Sequence, residues 1–143
     1  MAGSTFARLG ELASQRWGLV TTAQALEAGV ARPTLTRLAN SGALIRVARG
    51  VYRLAGAPEH EQEAILATWL ALGGADRPRT DTGVPPVVAA GQTAAQLHGI
   101  GDWFPGPLEF VVPTRRGTRV DGVRLRTREL APTEVVSVDG MPT

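Results

Sequence analysis

Polar side chains that can hydrogen-bond to nucleic acid follow one face of a helix predicted over residues 31–41. At 100° per residue this face carries Pro33, Thr36, Arg37 and Asn40, with Arg32 and Ser41 at its margins. Arginine and asparagine make bidentate hydrogen bonds to base edges, whereas threonine donates to phosphate oxygens. We therefore predict that Arg37 and Asn40 contact bases and that Thr34 and Thr36 contact phosphates. Arg32 is also predicted to contact the DNA.

The neighbouring elements are those needed to hold such a helix. Its opposite face carries Ala31, Leu35, Leu38 and Ala39, which predicts burial of that side. Thr21 and Gln24 stand three residues apart and fit a capping box, so a short helix begins there and ends at Gly29. A first amphipathic helix is predicted from Thr5 to about Arg16, capped by Ser4 or Thr5.

A β-hairpin is predicted directly after the polar helix. Two β-prone runs, residues 44–47 and 51–54, are joined by Ala48-Arg49-Gly50. Arg49 lies at the tip, and we expect Arg46, Arg49 and Arg53 to contact the sugar-phosphate backbone. Helix, turn, helix and hairpin in this order predict a winged helix-turn-helix.

The charge distribution agrees with this interpretation. Residues 1–54 carry seven Arg and two Glu, a net charge of +5, whereas residues 55–143 carry eight Arg and eleven carboxylates, a net charge of −3. The whole-chain charge of +2 hides this asymmetry. A basic first third predicts a polyanionic partner, double-stranded DNA in the first place.

The sequence after the hairpin predicts a second, small α+β domain. The boundary is placed at residues 56–58, so that residues 1–56 and 57–143 form separate domains. Its first helix carries Glu59, Glu61 and Glu63 in its opening turns and an apolar stripe from Ile65 to Leu72. A strand over residues 87–90, a helix over 92–98, a loop over 102–107 that carries Trp103 and Phe104, and a strand over 108–112 follow. A hairpin turn within residues 116–122 then returns the chain as a strand over 123–128.

A second cluster of arginines accompanies this predicted hairpin. It consists of Arg115, Arg116, Arg119, Arg124, Arg126 and Arg128. The last three alternate along one strand, so they share a face while Val123 and Leu125 point to the core. Two interpretations stay open: protection of an exposed sheet edge, or a second surface for nucleic acid or an acidic partner.

Composition argues against catalysis, metal binding and membrane insertion. Cys and Lys are absent, which removes thiol nucleophiles, Cys-based zinc sites, P-loop lysines and Schiff bases. His60 and His98 have no pair of carboxylates at helical spacing, so neither a metal nor a cofactor is predicted. No apolar run approaches the ~20 residues of a membrane span and no signal pattern opens the chain, so we expect a cytoplasmic protein without enzymatic activity.

Two stretches resemble a known family. The run GLVTTAQALEAGVARPTLTRLANSGALIRVARGVYRLAG is similar to the N-terminal winged helix of AbiEi-family antitoxins from type IV toxin–antitoxin systems. The run VVAAGQTAAQLHGIGDWFPGPLEFVVP resembles the region that follows it in actinobacterial members. The most specific pieces are Arg46-Val47-Ala48-Arg49-Gly50-Val51-Tyr52 and Leu97-His98-Gly99.

The resemblance implies a bacterial antitoxin and repressor that binds inverted repeats in its own promoter. It also implies that the C-terminal part counteracts a nucleotidyltransferase toxin, with the second arginine cluster in the antitoxic region. We expect a monomer or weak dimer that pairs on DNA. Ala31 departs from the family where a capping Ser is common, and Met141-Pro142-Thr143 reads as the approach to a further helix, which predicts a C-terminal domain incomplete at its end.

Two other functions are compatible with these residues. The winged helix and the basic hairpin of the second domain could serve as a protein–protein adaptor for an acidic partner, because a fold alone does not fix function. The chain could also be the DNA-binding part of a nuclease-fused protein. DNA binding is distinguished by its salt dependence, with a log–log slope of about −0.9 per phosphate neutralised.

Overall fold

The computed structural model describes residues 2–100 and 106–143 and has the predicted α+β architecture. It divides into two compact units, an N-terminal unit over Met1–Ala67 and a C-terminal unit over Thr68–Thr143. The sequence predicted separately folding domains with a boundary at residues 56–58. A division into compact units does not test whether each part folds alone, so this boundary stays a prediction. Among the described residues, no helix combines the length and apolar character that a bilayer span requires.

The N-terminal unit contains three helices and one three-stranded sheet. The helices are α1 (Ala2–Ser14), α2 (Thr22–Glu27) and α3 (Arg32–Asn40), and the strands are β1 (Leu19–Thr21), β2 (Leu44–Ala48) and β3 (Val51–Leu54). The sheet is antiparallel in the order β1-β3-β2. This is the winged helix-turn-helix arrangement that the sequence predicted.

Helix α1 is amphipathic but begins earlier than predicted. Ser4 and Thr5 lie inside the helix, so the prediction that either is its N-cap is wrong, because an N-cap has non-helical backbone angles. Leu9 and Ala13 are buried on its inner face. The chain leaves the helix after Ser14, and Trp17, at a φ of 59°, turns it toward β1.

The capping box of α2 is confirmed in both of its hydrogen bonds. The Gln24 amide donates to Thr21 Oγ1, and the Thr21 amide donates to Gln24 Oε1, each at 3.1 Å. Gly29 follows the helix at a φ of 86°, the left-handed conformation that ends helices and favours glycine. Local sequence therefore fixes both ends of α2.

The core of the N-terminal unit is built from all three helices and the sheet. Its buried members are Leu9, Ala13, Val20, Ala25, Val30, Leu35, Leu38, Leu44 and Leu54. Burial of this apolar surface supplies the main stabilisation of the unit and sets which side of each helix faces outward.

The C-terminal unit is a small mixed sheet with helices beside it. Helix α4 (Glu63–Ala71) crosses the division between the units. Strand β4 (Val88–Ala89), helix α5 (Gly91–Leu97), strands β5 (Leu108–Val112) and β6 (Val123–Thr127), a 3₁₀ turn (Pro132–Glu134) and strands β7 (Ser137–Val138) and β8 (Met141–Pro142) follow. The strand orders are β4-β5-β6 and β7-β8.

Helix α4 is shorter and more deeply buried than predicted. Glu59 and Glu61 precede it, because the Gln62 amide donates to His60 Nδ1 and this local turn occupies the segment before the helix. The sequence predicted that one apolar face of this helix is buried. In the structure residues 65–70 are all buried, so this part of the helix is covered on every side. Such all-round burial is typical of a core helix.

The predicted hairpin between β5 and β6 is wrong. The two strands are parallel, with Phe110 opposite Leu125, and residues 113–122 carry the chain back along the sheet as a crossover. The glycines of this segment signalled a turn but carried no information on the direction of return. The antiparallel neighbour of β5 is β4, on its other edge.

The end of the chain forms a β-ribbon rather than the approach to a helix. Val136 and Thr143 exchange backbone hydrogen bonds of 3.0 and 2.9 Å. Asp139 and Gly140, both at positive φ, form the turn. The Thr143 hydroxyl lies 2.8 Å from Nε2 of His98, the residue that follows α5. The predicted loop with Trp103 and Phe104 lies largely outside the described residues.

Candidate nucleic-acid interface

Helix α3 presents its polar face to solvent as predicted. Leu35 and Leu38 are buried, and the exposed face carries Arg32, Pro33, Thr36, Arg37 and Asn40. Ala31 is exposed, contrary to prediction, because it is the N-cap residue with extended backbone and lies outside the helical periodicity. The face that carries Arg37 and Asn40 is therefore available to a partner.

The two threonines of α3 are not equivalent. The Thr36 hydroxyl donates to the Arg32 carbonyl at 3.2 Å, so its proton is already engaged within the helix. Its oxygen can accept a further hydrogen bond, but donation to a phosphate requires rotation of the side chain. Thr34 is half-buried near the helix start, and its assignment to a phosphate stays a prediction.

The hairpin of β2 and β3 is confirmed, with Arg49 and Gly50 at its tip. Leu44 pairs with Leu54, and a bulge falls between Arg46 and Ala48. Gly50 adopts a φ of 69°, which lets the chain reverse within a short connection. Arg46 and Arg49 are both exposed.

Hydrogen bonds fix this hairpin relative to the helix pair. The Thr22 amide, in the first turn of α2, donates to the Gly50 carbonyl at 2.9 Å, and its hydroxyl approaches the same oxygen at 3.4 Å. Arg8 of α1 donates to the Ala28 carbonyl at the end of α2 at 2.8 Å. The wing tip and the turn before α3 are therefore held on one scaffold.

The exposed arginines of this scaffold keep their charge uncompensated. No carboxylate in the described part of the chain forms an ion pair with Arg32, Arg37, Arg46 or Arg49. Because no carboxylate among residues 2–100 and 106–143 neutralises them, their positive field reaches the solvent. Together with Asn40 these four arginines form the recognition surface.

Arg53 differs from these arginines because it has an internal partner, and its predicted phosphate contact stays a prediction. Its Nε lies 2.6 Å from Glu63 Oε1, and the two side chains are only 17% and 13% exposed. The charge is thus neutralised within the N-terminal unit, where it ties β3 to the start of α4. Strand periodicity alone could not show this, because the partner carboxylate lies outside the sheet.

The second arginine cluster splits into members with different surroundings. Arg124 and Arg126 on β6 donate to Glu109 Oε1 at 3.3 and 3.2 Å, and Arg128 donates to Glu134 Oε2 at 2.8 Å. Each of these three side chains is about 60% exposed but has a carboxylate partner. Arg115 and Arg119 are exposed on the crossover, whereas Arg116 is half-buried.

Glu109 is the residue that sequence reasoning missed. It is 8% exposed in an otherwise apolar strand and lies opposite Arg124 in the parallel register. Its Oε2 also accepts from the Gln92 amide at 3.2 Å, and the Thr93 hydroxyl accepts from the Glu109 amide at 2.8 Å. A single acid within LEFVV was the available signal, since a buried carboxylate is almost always paired.

Arg116 is the group whose ionisation the structure perturbs. Burial, and secondly the charge of Arg77, lower the pKa of its guanidinium from the ordinary value, and it remains charged near neutral pH. Across the described ranges, no group of three His, Asp or Glu side chains is placed to hold a metal ion.

A three-helix unit with an exposed polar third helix and an arginine-tipped hairpin defines a winged helix-turn-helix protein. Residues 8–55 match the family described as "Transcriptional regulator, AbiEi antitoxin". The predicted resemblance to AbiEi-family antitoxins is thus confirmed over these residues, which make up about a third of the chain. No match to the chain is found among curated proteins.

Proposed function

We propose that this chain is a sequence-specific DNA-binding repressor with antitoxin activity that regulates its own promoter. The observation that carries the proposal is the recognition surface, where four exposed arginines have no carboxylate partner among the described residues and share one scaffold with Asn40. The family match over residues 8–55 supports the regulatory and antitoxin roles.

In this proposal the helix and the hairpin have different tasks. Arg37 and Asn40 project from the exposed middle and end of α3, where a helix lying in the major groove reads base edges. Arg46 and Arg49 on the hairpin contact phosphates and fix the register of the helix on the duplex. Arg32, at the first helical position, adds positive charge where the helix dipole already attracts phosphate.

One recognition helix reads only a few base pairs, so useful specificity requires two copies on an inverted repeat. The protein then acts as a monomer or weak dimer that pairs on DNA in the bacterial cytoplasm. It works by binding alone, without a catalytic residue or a cofactor. Its antitoxin role is directed against a nucleotidyltransferase toxin, and we assign this role to the C-terminal unit.

The testing experiment titrates the full chain against labelled DNA from immediately upstream of its gene, beside a scrambled duplex, at several salt concentrations. Selective binding is expected, with a steep loss of affinity as salt rises. Arg46→Gln and Arg49→Gln should each reduce the log–log salt slope by roughly 0.9, since each removes one phosphate contact. Arg119→Gln, an exposed arginine of the C-terminal unit, is the matched control and should leave the slope unchanged.

Equal and weak binding to both duplexes would overturn the proposal. A basic surface without sequence preference would remain, and an acidic protein partner would become the better explanation.

A further inference from the structure

A small cleft in the C-terminal unit has two guanidinium groups on its walls. Its volume is about 180 Å³, and its polar lining comes from Arg77, Thr114 and Arg116. Val112 and three prolines, Pro78, Pro86 and Pro113, form the remaining walls. Ligand pockets for whole organic molecules measure roughly 300–1,000 Å³, so this cleft is the size of a single functional group.

The turn that ends α4 holds both guanidinium groups in place. Arg116 Nη2 donates to the Leu72 carbonyl at 2.6 Å, although the two residues are far apart in sequence. Arg77 packs against Gly73, where an added Cβ would come within 2.9 Å of the Arg77 Nε. Two positively charged planar groups are thus brought to one cleft by adjacent residues, Leu72 and Gly73.

One donor of Arg116 lacks a partner. Its Nε is buried and, among the residues that the structure describes, receives no hydrogen-bond acceptor. A buried donor left unpaired is costly, so such groups in folded proteins usually meet an acceptor from solvent or a ligand.

The charges in the cleft are also unbalanced. Within residues 2–100 and 106–143, no carboxylate forms an ion pair with Arg77 or Arg116. Desolvation and the neighbouring Arg77 both oppose the charge of Arg116, which is why its pKa is lowered. An anion between the two groups would offset the repulsion between their positive charges.

We propose that this cleft binds the phosphate group of a small ligand, held between Arg77 and Arg116 with the Thr114 hydroxyl as a further donor. Planar guanidinium groups match the oxygens of phosphate in bidentate fashion, which favours phosphate over a spherical anion. This site is separate from the recognition surface of the N-terminal unit and goes beyond the proposed repressor function.

A neighbouring cleft indicates that the phosphate belongs to an organic ester. This second cleft, of about 430 Å³, shares Arg77 and Pro86 with the first, and its apolar walls include Trp69, Val84 and Val136. Val136 is 53% exposed, so its apolar surface is open to a ligand in this cleft. The organic part of a phosphomonoester would cover it while the phosphate occupies the smaller cleft.

The test titrates the full chain with inorganic phosphate and with phenyl phosphate by calorimetry at constant ionic strength, with acetate as the carboxylate control. Both phosphates should bind, and phenyl phosphate should bind more tightly because it also contacts the apolar walls. Arg116→Gln and Arg77→Gln should each weaken binding roughly tenfold or more, as expected for loss of a charge-assisted hydrogen bond. The matched control Arg119→Gln, an exposed arginine of the same crossover that does not line the cleft, should bind normally.

Arg77→Gln keeps the test decisive if Arg116→Gln fails to fold, because the Arg77 side chain is exposed. Absence of phosphate binding, acetate binding as tight as phosphate, or equal weakening by Arg119→Gln would each overturn the phosphate site. Equal affinity for the two phosphates would keep the site and assign it to inorganic phosphate rather than to an ester.

Discussion

The recognition surface and strand β6 both display exposed arginines, but they differ in what lies beside those arginines. Arg37, Arg46 and Arg49 have no carboxylate partner within the described residues. Arg124 and Arg126 both form ion pairs with Glu109, so its negative charge offsets part of their positive charge. Counting arginines therefore does not locate a polyanion site, because internal compensation decides how much of the field reaches solvent.

The largest effect that tests this comparison is expected for Arg37→Ala. Loss of a base contact in the middle of α3 should weaken binding to the upstream DNA by about 1–3 kcal/mol, which is roughly fivefold to 150-fold. Fluorescence anisotropy measures it, and alanine preserves the helix because it has the highest helix propensity. The matched variant Arg126→Ala should change the affinity less than twofold (~0.4 kcal/mol).

If Arg126→Ala weakened DNA binding as much as Arg37→Ala, the comparison would fail. Strand β6 would then be a second DNA-contacting surface despite its ion pairs, which is one of the two interpretations that the sequence left open.

A second effect should appear in the stability of the C-terminal unit. Glu109→Gln removes a nearly buried charge that accepts from Arg124, Arg126 and the Gln92 amide, so unfolding free energy should fall by about 2 kcal/mol. Urea denaturation measures this loss. Glu129→Gln, an exposed acid after β6, is the control and should lie within about 0.5 kcal/mol of the parent protein. A similarly small effect of Glu109→Gln would mean that the ion pairs of Glu109 with the β6 arginines contribute little to stability.

Local sequence predicted the elements that local interactions fix. The capping box of Thr21 and Gln24 and the two faces of α3 depend on residues within one or two turns of each other, and the structure has both. The wing was predictable for the same reason, since a short connection containing Gly50 joins two β-prone runs. Most of the recognition surface follows from these three elements.

Features that depend on distant residues could not be predicted. The parallel pairing of β5 and β6 is set by how residues 113–122 cross the sheet, and glycines mark a turn without giving its direction. The Arg53–Glu63 pair and the Arg116–Leu72 hydrogen bond join residues whose proximity exists only in the folded chain. Arginines that look alike in the sequence therefore have different surroundings in the folded chain, because tertiary contacts differ.

The N-terminal unit itself contains both kinds of arginine, the ion-paired Arg53 and the exposed Arg46. Arg53→Gln breaks a largely buried ion pair and should lower the unfolding free energy by about 1 kcal/mol, between the values for surface and fully buried pairs. Its DNA affinity should stay unchanged. Arg46→Gln, on the adjacent strand β2 but exposed, should show the opposite pattern of normal stability and weaker DNA binding.

Urea denaturation and anisotropy on the same two proteins give both readouts. Loss of DNA affinity by a fully folded Arg53→Gln protein would return Arg53 to the recognition surface. That result would also show that an internal carboxylate does not remove an arginine from DNA contact, which is the premise of the whole comparison.

The smallest expected effect is that of an N-cap at the start of α3. It tests whether the position of the helix, in addition to the charge of its arginines, limits DNA binding. Ala31 has the extended backbone of an N-cap, with φ −74° and ψ 151°, but no side-chain acceptor. In Ala31→Ser the new hydroxyl would accept from the Thr34 amide and stabilise the unit. Because Pro33 removes one of the amides that a cap could satisfy, the gain should be about 0.5 kcal/mol, at the low end for such caps.

Urea denaturation measures this gain, and the isosteric pair Ala31→Thr and Ala31→Val controls for shape, because only threonine supplies the hydroxyl. DNA affinity should change less than twofold (~0.4 kcal/mol), since Arg37 and Asn40 keep their positions when a helix that already forms is capped. A large gain in affinity without a matching gain in stability would show that the uncapped end of α3 rearranges on DNA. The uncompensated arginines would then be necessary for recognition but not positioned in advance of it.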